Sequence, residues 1–193
     1  TERVSDINPA GSSNPRNLVN LGGTLYFLAS NGSAEGLYRM TETGTTPSLV
    51  QSLSAGQVLS NLTVVGSSLF FTVRNGSEFQ LWRSDGTTVT QVNSTTYSSL
   101  SSLTSVGGNL FFVGTDTTGI RIWRSDGTAA GTTTVSSAFT SLPTGLTSLG
   151  GRLYFAAPGT VTETVLVPNP VDPLLPPTVE IRETPTGTEL FAF

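Results

Sequence analysis

Short apolar strands recur along this chain in the same order, once every forty-odd residues. Each repeat has a strand in which Leu, an aromatic residue and Phe follow one another, at spacings of 44, 41 and 43 residues: Leu25–Phe27, Leu69–Phe71, Leu110–Phe112 and Leu153–Phe155. A second landmark pairs an aliphatic with an aromatic residue: Leu37-Tyr38, Leu81-Trp82, Ile122-Trp123 and Leu190-Phe191. A period near 43 residues with several short strands per repeat is typical of a β-propeller. We therefore predict an all-β fold, a four-bladed propeller of four-stranded repeats.

The third repeat shows the pattern of one blade. It predicts strands over 103–106, 110–114, 120–124 and 132–136, separated by turns rich in Gly, Asn and Asp. Along the second strand of the second repeat, bulky residues point to both faces, with Phe71 on one face and Phe70 on the other. Apolar bulk on both faces indicates a sheet that is packed between neighbouring sheets.

We predict a single domain over residues 1–193. Its parts are a closing strand at 1–8 and blades at 14–53, 57–94, 98–137 and 142–193. Thr1–Val4 aligns with Thr132–Val135, the outer strand of the third blade, so the N-terminal segment is predicted to complete the last blade. Completion within the chain gives a closed monomer, whereas completion between chains joins copies of the protein. The sequence leaves both possibilities open.

The fourth repeat carries a Pro-rich insertion at about 158–186 between its two landmarks. The flanks of the insertion alternate as strands do, over 161–167 and 178–184, around a tip at 168–177 that contains five of the chain's 11 Pro residues. We predict a projecting β-arm with a stiff tip. The alternative is a disordered surface loop, because Pro-rich tracts are often disordered.

Composition removes most catalytic chemistry. The chain has no His and no Cys, and all nine of its basic residues are Arg, so it lacks the imidazole, thiolate and Lys groups of many active sites. With 11% charged residues and a net charge of −4, it has no basic surface for nucleic acid. No apolar run has the length of a membrane span. Ser and Thr account for 55 of the 193 residues, a composition common in secreted and cell-surface proteins.

The most specific motif is Leu81-Trp82-Arg83-Ser84-Asp85-Gly86-Thr87, which returns as Ile122-Trp123-Arg124-Ser125-Asp126-Gly127-Thr128. With Val4-Ser5-Asp6-Ile7-Asn8-Pro9 at the start of the chain, this pattern resembles the bacterial ELWxxDGT-repeat proteins. The first repeat departs from it, since Leu37-Tyr38-Arg39 leads into a turn without Asp, and the fourth keeps only 187–191. The resemblance implies an exported, bacterial, propeller-like protein, and it brings no established activity or catalytic residues.

Asp85 and Asp126 are interpreted as turn residues. Each carboxylate is expected to accept hydrogen bonds from backbone N–H groups two residues on, while Gly86 and Gly127 supply a positive φ and Thr87 and Thr128 begin the next strand. The alternative is a calcium ligand at each turn, which needs several oxygen ligands to converge. Calcium is the sole cofactor that the sequence suggests, and it is the weaker interpretation.

Tyr38, Trp82, Trp123 and Phe191 recur in every repeat and are predicted to pack between blades. The alternative is a ring of sugar-stacking aromatics around the propeller. Four Asn-x-Ser/Thr sequons, at Asn31, Asn61, Asn75 and Asn93, are candidate glycosylation sites. We predict no catalytic residues, because acidic side chains are few and do not recur in corresponding positions.

The leading functional hypothesis is a non-enzymatic extracellular structural protein that builds a surface fibre, layer or matrix from copies of itself. The copies would join through the exchanged N-terminal strand or the projecting arm. The alternative is an adhesive propeller module that binds glycans or surface proteins. A glycosidase-like enzyme is the third hypothesis, and it would need a carboxylate pair in a cleft.

Overall fold

The computed structural model describes residues 3–158, 163–167, 178–182 and 188–192. These residues are all-β, and every strand pairing among them is antiparallel. The chain divides into two compact units, Thr1–Thr96 and Tyr97–Phe193. Each unit contains two consecutive repeats. The single domain expected from the sequence stays a prediction, and the two units are described separately below.

The first unit contains two four-stranded sheets whose strands follow one another in chain order. The first sheet consists of β1 (Arg16–Leu21), β2 (Thr24–Ser30), β3 (Glu35–Thr41) and β4 (Ser48–Ser52). The second consists of β5 (Gln57–Val65), β6 (Ser68–Asn75), β7 (Glu78–Ser84) and β8 (Val89–Gln91). Each of these two repeats thus forms the four strands that the sequence pattern predicts for one repeat.

The second unit contains the third and fourth repeats. The third sheet consists of β9 (Ser99–Val106), β10 (Asn109–Asp116), β11 (Gly119–Ser125) and β12 (Thr133–Thr134). The fourth sheet has the order β13 (Thr144–Leu149), β14 (Arg152–Pro158) and β17 (Thr188–Ala192). A separate two-stranded sheet pairs β15 (Glu163–Val167) with β16 (Thr178–Arg182). The flanks of the insertion therefore pair as the alternation predicts, and its tip at 168–177 lies outside the described residues.

The N-terminal segment is in no strand among the described residues, which begin at Arg3. Within this segment Asn8 is buried and is held by the turn that follows it. The amide nitrogen of the Asn8 side chain donates to the carbonyl of Ser12 over 3.1 Å, and the Asn8 backbone N–H donates to the Ser13 hydroxyl over 3.1 Å. The described part of the fourth sheet has three strands, so its completion by residues 1–8 stays a prediction.

A β-bulge recurs in the first strand of every repeat. At each bulge one residue has a left-handed backbone: Asn17 (φ 52°), Asn61 (φ 57°), Ser102 (φ 56°) and Gly145 (φ 67°). The pairing register shifts at the same places. The four positions are spaced 44, 41 and 43 residues apart, as the aromatic landmarks are. The bulge bends the first strand of each of the four repeat sheets by the same device.

Asn61→Val tests this device. A β-branched residue with a left-handed backbone is strained, and the change also removes the hydrogen bond from the Asn61 side-chain amide to the Thr72 hydroxyl (3.3 Å). We expect the free energy of unfolding to fall by about 2–3 kcal/mol. Asn61→Gly loses the same hydrogen bond but adopts this conformation freely, so it should cost only about 1 kcal/mol. Denaturant unfolding followed by Trp82 fluorescence in a Trp123→Phe background measures both, and equal losses would contradict the argument.

Packing between sheets follows one rule in both units. The front face of a sheet is defined here as the face that carries the Leu and Phe of the first landmark. The back face is the opposite one, and it carries the aromatic residue between them. In the first unit, Tyr26 and Leu37 on the back face of the first sheet share an apolar cluster with Leu69 and Phe71 on the front face of the second. Leu62, just after the bulge, lies in the same cluster.

The second unit repeats this arrangement with different residues. Val106 and Ile122 on the back face of the third sheet share a cluster with Leu153 and Phe155 on the front face of the fourth. Leu146, which corresponds to Leu62, packs against this cluster. Burial of both faces is why the strands of the landmarks are apolar at successive positions rather than at alternate ones.

Candidate functional sites

The turn after β7 is organised by Asp85. One oxygen of its carboxylate accepts hydrogen bonds from the backbone N–H groups of Thr87 and Thr88 and from the Thr87 hydroxyl, each over 2.8 Å. Gly86 has φ 97° and donates its N–H to the Ser84 hydroxyl over 3.0 Å. Thr87 lies in the turn itself, and the next strand begins two residues later, which corrects the prediction that this Thr begins the strand.

The turn after β11 has the same construction. Asp126 accepts from the Thr128 backbone N–H over 2.8 Å and from the Thr128 hydroxyl over 2.7 Å, and Gly127 has φ 92°. Thr128 is again within the turn, before β12. Gly131 lies so close to the Asp126 carboxylate that a Cβ there would overlap it. The two copies of the sequence motif therefore share a hydrogen-bonded turn in which the carboxylate holds the backbone.

Hydrogen bonds from the backbone N–H of Thr88, and then from the N–H and hydroxyl of Thr87, lower the pKa of Asp85 to about 2. The pKa of Asp126 is also lowered, chiefly by the Thr128 hydroxyl and backbone N–H. A pKa below the unfolded value of 3.8 means that the carboxylate stabilises the folded state above about pH 4. This contribution is lost as the pH falls through about 2.

We therefore predict that the melting temperature falls between about pH 4 and pH 2, and that Asp85→Asn makes this fall shallower. The amide oxygen of Asn still accepts the turn's hydrogen bonds but does not titrate, so the loop keeps its shape. NMR titration of the Asp85 carboxyl carbon gives the direct measurement, with an expected midpoint near 2. A midpoint at the ordinary 3.8 would show that the turn does not hold this carboxylate in solution.

A calcium role for these turns would require further ligands around each Asp. Within residues 3–158 and the shorter described ranges, no group of three or more acidic, His or Cys side chains converges. The Asp85 oxygen already accepts three hydrogen bonds from its own turn. Calcium ligation by Asp85 and Asp126 stays a prediction.

The recurrent aromatic residues stack within their own sheets. Each lies directly opposite the first-landmark Phe on the neighbouring strand: Tyr38 opposite Phe27, Trp82 opposite Phe71, Trp123 opposite Phe112 and Phe191 opposite Phe155. Three of the pairs stack with ring centroids 5.9, 6.1 and 5.3 Å apart, in the first, third and fourth sheets. The structure thus shows a contact across one sheet that the sequence did not predict. Trp82 and Phe191 also contribute to the clusters between sheets.

A further apolar residue in each connecting segment was missed by sequence reasoning. Leu53 lies in the cluster of Phe71, Tyr97 meets Phe112 edge-on at 5.7 Å, and Phe139 meets Phe155 edge-on at 6.0 Å. Ile7 packs in the same way against Phe27 and Tyr38. These residues precede the stacked Phe by 15 to 20 positions, and this variable spacing hides them from a search at fixed period.

The front face of the first sheet borders a groove of about 490 Å³. Its apolar lining includes Val4, Ile7, Leu18, Leu25, Phe27 and Met40. Leu18 and Val4 are exposed within it, and Leu25 and Met40 are half-buried. The rest of the lining includes Arg3, Asp6 and three Ser residues, so the groove is mainly but not wholly apolar and is suited to a mainly apolar surface.

The sequons differ in accessibility. Asn31 and Asn75 are exposed, and Asn31 uses its side-chain oxygen to accept from the backbone N–H groups of Ser33 and Ala34. Asn61 is half-buried at a bulge, where its side-chain amide donates to Thr72. Asn93 is also half-buried. Asn31 and Asn75 are therefore the better placed of the four candidates.

No family model matches the chain, and a search of curated proteins gives no match. Among solved structures the chain is similar to a puromycin-hydrolyzing peptidase of Mycobacterium tuberculosis, at 11% identity and a TM-score of 0.60 over 93% of this chain and 30% of that one. It is also similar to TolB of Acinetobacter baumannii, at 14% identity and a TM-score of 0.50 over 82% of this chain and 40% of that one. The chain thus spans well under half the length of both.

At these identities the similarity shows the fold alone. The described sheets and the two comparisons together define an all-β, propeller-like repeat protein, which confirms the sequence prediction at that level. Among the described residues, no helix is long and apolar enough to cross a membrane.

Proposed function

We propose that this protein is a non-enzymatic structural subunit at the cell surface or outside the cell, and that copies of it join into a fibre, layer or matrix. Its four large sheets would act as propeller-type blades. The two Trp-Arg-Ser-Asp-Gly-Thr motifs resemble those of exported bacterial ELWxxDGT-repeat proteins, and this resemblance supports the proposal. Its principal partner would be another copy of itself.

The observation that carries the proposal is the unequal construction of the fourth sheet. Its described strands are β13, β14 and β17, whereas each of the other three repeats forms a four-stranded sheet. Within the described residues, the outer edge of β17 has no paired strand, and an open edge accepts a strand of suitable pattern. A strand from residues 1–8 would complete it, either closing a four-bladed ring within one chain or linking two copies.

The insertion supplies a second possible joint. Its flanks form their own two-stranded sheet, β15 with β16, instead of extending the sheet of the fourth repeat. A hairpin that adds nothing to the repeat sheets is suited to contact with another subunit. Glycans at Asn31 and Asn75 would be compatible with a surface location, since both residues are exposed.

The alternative function is an adhesive module that binds surface proteins or glycans. The groove on the front face of the first sheet favours a protein over a glycan here, because its lining is mainly apolar. A surface protein is therefore the alternative partner that the geometry supports.

Light scattering and negative-stain microscopy test the structural proposal. The intact chain is compared with variants that lack residues 1–8 or residues 158–186. We expect particles much larger than the 20.1 kDa chain, and we expect at least one deletion to return them to monomers. A monomer under all conditions, together with specific retention on a surface protein, would favour the adhesive alternative instead.

A further inference from the structure

The back face of the fourth sheet exposes residues that are buried elsewhere. Leu190 is 75% exposed, whereas the corresponding Leu37, Leu81 and Ile122 are each 0% exposed. Leu149 is 69% exposed, whereas the corresponding Val65 and Val106 are almost fully buried. The fourth sheet therefore presents an apolar surface at the positions that mediate contact in the other sheets.

These exposed residues form one surface. Leu149 pairs with Arg152, and Leu190 pairs with Ala156, so the strand alternation places both leucines on the same face as Tyr154. The front face of this sheet is occupied by the cluster around Phe155. The free apolar surface is therefore confined to the back face.

The front face of the first sheet also exposes an apolar residue at a position that is buried in other sheets. Leu18 is 58% exposed beside the apolar groove, whereas the corresponding Leu62 is 6% exposed and lies in the cluster between the first and second sheets. The equivalent residue of the fourth sheet, Leu146, packs against the cluster between the third and fourth sheets. At the front face of the first sheet this position is therefore exposed, and the groove lies beside it.

The partner of each surface follows from contacts already present within the units. The equivalents of Leu190 and Leu18 share a cluster twice: Leu37 with Leu62 in the first unit, and Ile122 with Leu146 in the second. A back face meets the front face of the next sheet in both cases. The surface that best fits the back face of a fourth sheet is therefore the front face of a first sheet.

We propose that the groove on the front face of the first sheet binds the back face of the fourth sheet of a second copy. The proposal rests on the proposed function, because it takes a second copy as the partner. It adds a contact between sheet faces to the exchanged strand or arm through which copies would join. The two surfaces differ, so copies associate head to tail, in an open chain or a ring of subunits.

Disulfide trapping tests the contact directly, because the chain contains no Cys. Single variants Leu18→Cys and Leu190→Cys are purified separately, mixed and oxidised. We expect a mixed disulfide-linked dimer of twice the 20.1 kDa chain mass. The matched control mixes Leu18→Cys with Leu142→Cys, because Leu142 is also exposed, at 46%, in the loop before β13. This pair should give at least about tenfold less dimer.

The double variant Leu18→Cys/Leu190→Cys separates the possible occupants. Head-to-tail association gives a ladder of cross-linked multimers, whereas a monomer with an internal disulfide would overturn the proposal, because the chain's own fourth sheet would then fill the groove. Polymers that form without a Leu18–Leu190 cross-link would also overturn it and leave the proposed structural function standing. Monomers without any cross-link would contradict both.

A charge variant gives an independent measure of association. Leu190→Asp should weaken self-association at least about tenfold, since a carboxylate would be buried in an apolar groove. Leu142→Asp should change it less than about twofold. Because both leucines are exposed in the single chain, neither change is expected to unfold it, and circular dichroism verifies this. Equal association of both variants would contradict the proposed contact.

Discussion

Phe112→Ala should lower the free energy of unfolding of the second unit by about 3–5 kcal/mol. Phe112 is 0% exposed, and it stacks on Trp123 at 6.1 Å while Tyr97 meets it edge-on at 5.7 Å. Removing the ring leaves a cavity that two other rings border, and neither can fill it without leaving its own packing. The loss combines the transfer free energy of the side chain with the cost of that cavity.

Fluorescence makes the measurement specific to one unit. The chain has two Trp residues, Trp82 in the first unit and Trp123 in the second, so a Trp82→Phe background leaves only the second to report. Leu142→Ala, in the same unit and partly exposed, is the matched control and should change the free energy of unfolding by less than about 0.5 kcal/mol. A loss below about 1 kcal/mol for Phe112→Ala would show that the three-ring cluster is not a rigid core.

The landmarks predict the central strands well because their apolar residues are needed on both faces. The second and third strands of the repeats lie between two neighbours in each four-stranded sheet. Their burial fixes residue type at a constant period, so the pattern survives in all four repeats. The outer strands are less constrained, and β12 is accordingly only two residues long, Thr133–Thr134.

The bulges were not predictable from residue type. Asn17, Asn61, Ser102 and Gly145 occupy the same left-handed position, yet they share no side-chain chemistry. Asn and Gly are common with such a backbone, but Ser is not, and each also occurs freely in turns. The period of 44, 41 and 43 residues is the signal that reveals the position once the structure shows where to look.

The aromatic stacks illustrate a different limit of sequence reasoning. Recurrence of Tyr38, Trp82, Trp123 and Phe191 indicates a structural role, but it does not specify which neighbour each ring contacts. The choice depends on register: each ring lies directly across from a first-landmark Phe on the adjacent strand. Directly opposite side chains interact in an antiparallel pair, so the register brings each ring against that Phe in addition to any contact between sheets.

Gly86→Ala should destabilise the first unit by about 2–5 kcal/mol, because two costs add. Gly86 has φ 97°, which strains any residue with a side chain, and a Cβ there would overlap the hydroxyl oxygen of Tyr26. The same hydroxyl donates to the Gly86 carbonyl over 3.3 Å, and Arg39 donates to that carbonyl over 3.0 Å, so the turn of the second repeat is held against the first sheet.

A double-mutant cycle separates the two costs of Gly86→Ala. Tyr26→Phe alone should cost about 1 kcal/mol, the value of one hydrogen bond, and it removes the oxygen that the new Cβ would meet. Gly86→Ala in that background should therefore cost about 1–3 kcal/mol, the backbone strain alone. Gly76→Ala, with φ 60° and open space around it, is the control for strain without contact and should cost about 1–2 kcal/mol. Denaturant unfolding followed by Trp82 fluorescence in a Trp123→Phe background gives all four values. Strictly additive losses would mean that the Tyr26 hydroxyl does not restrict this turn.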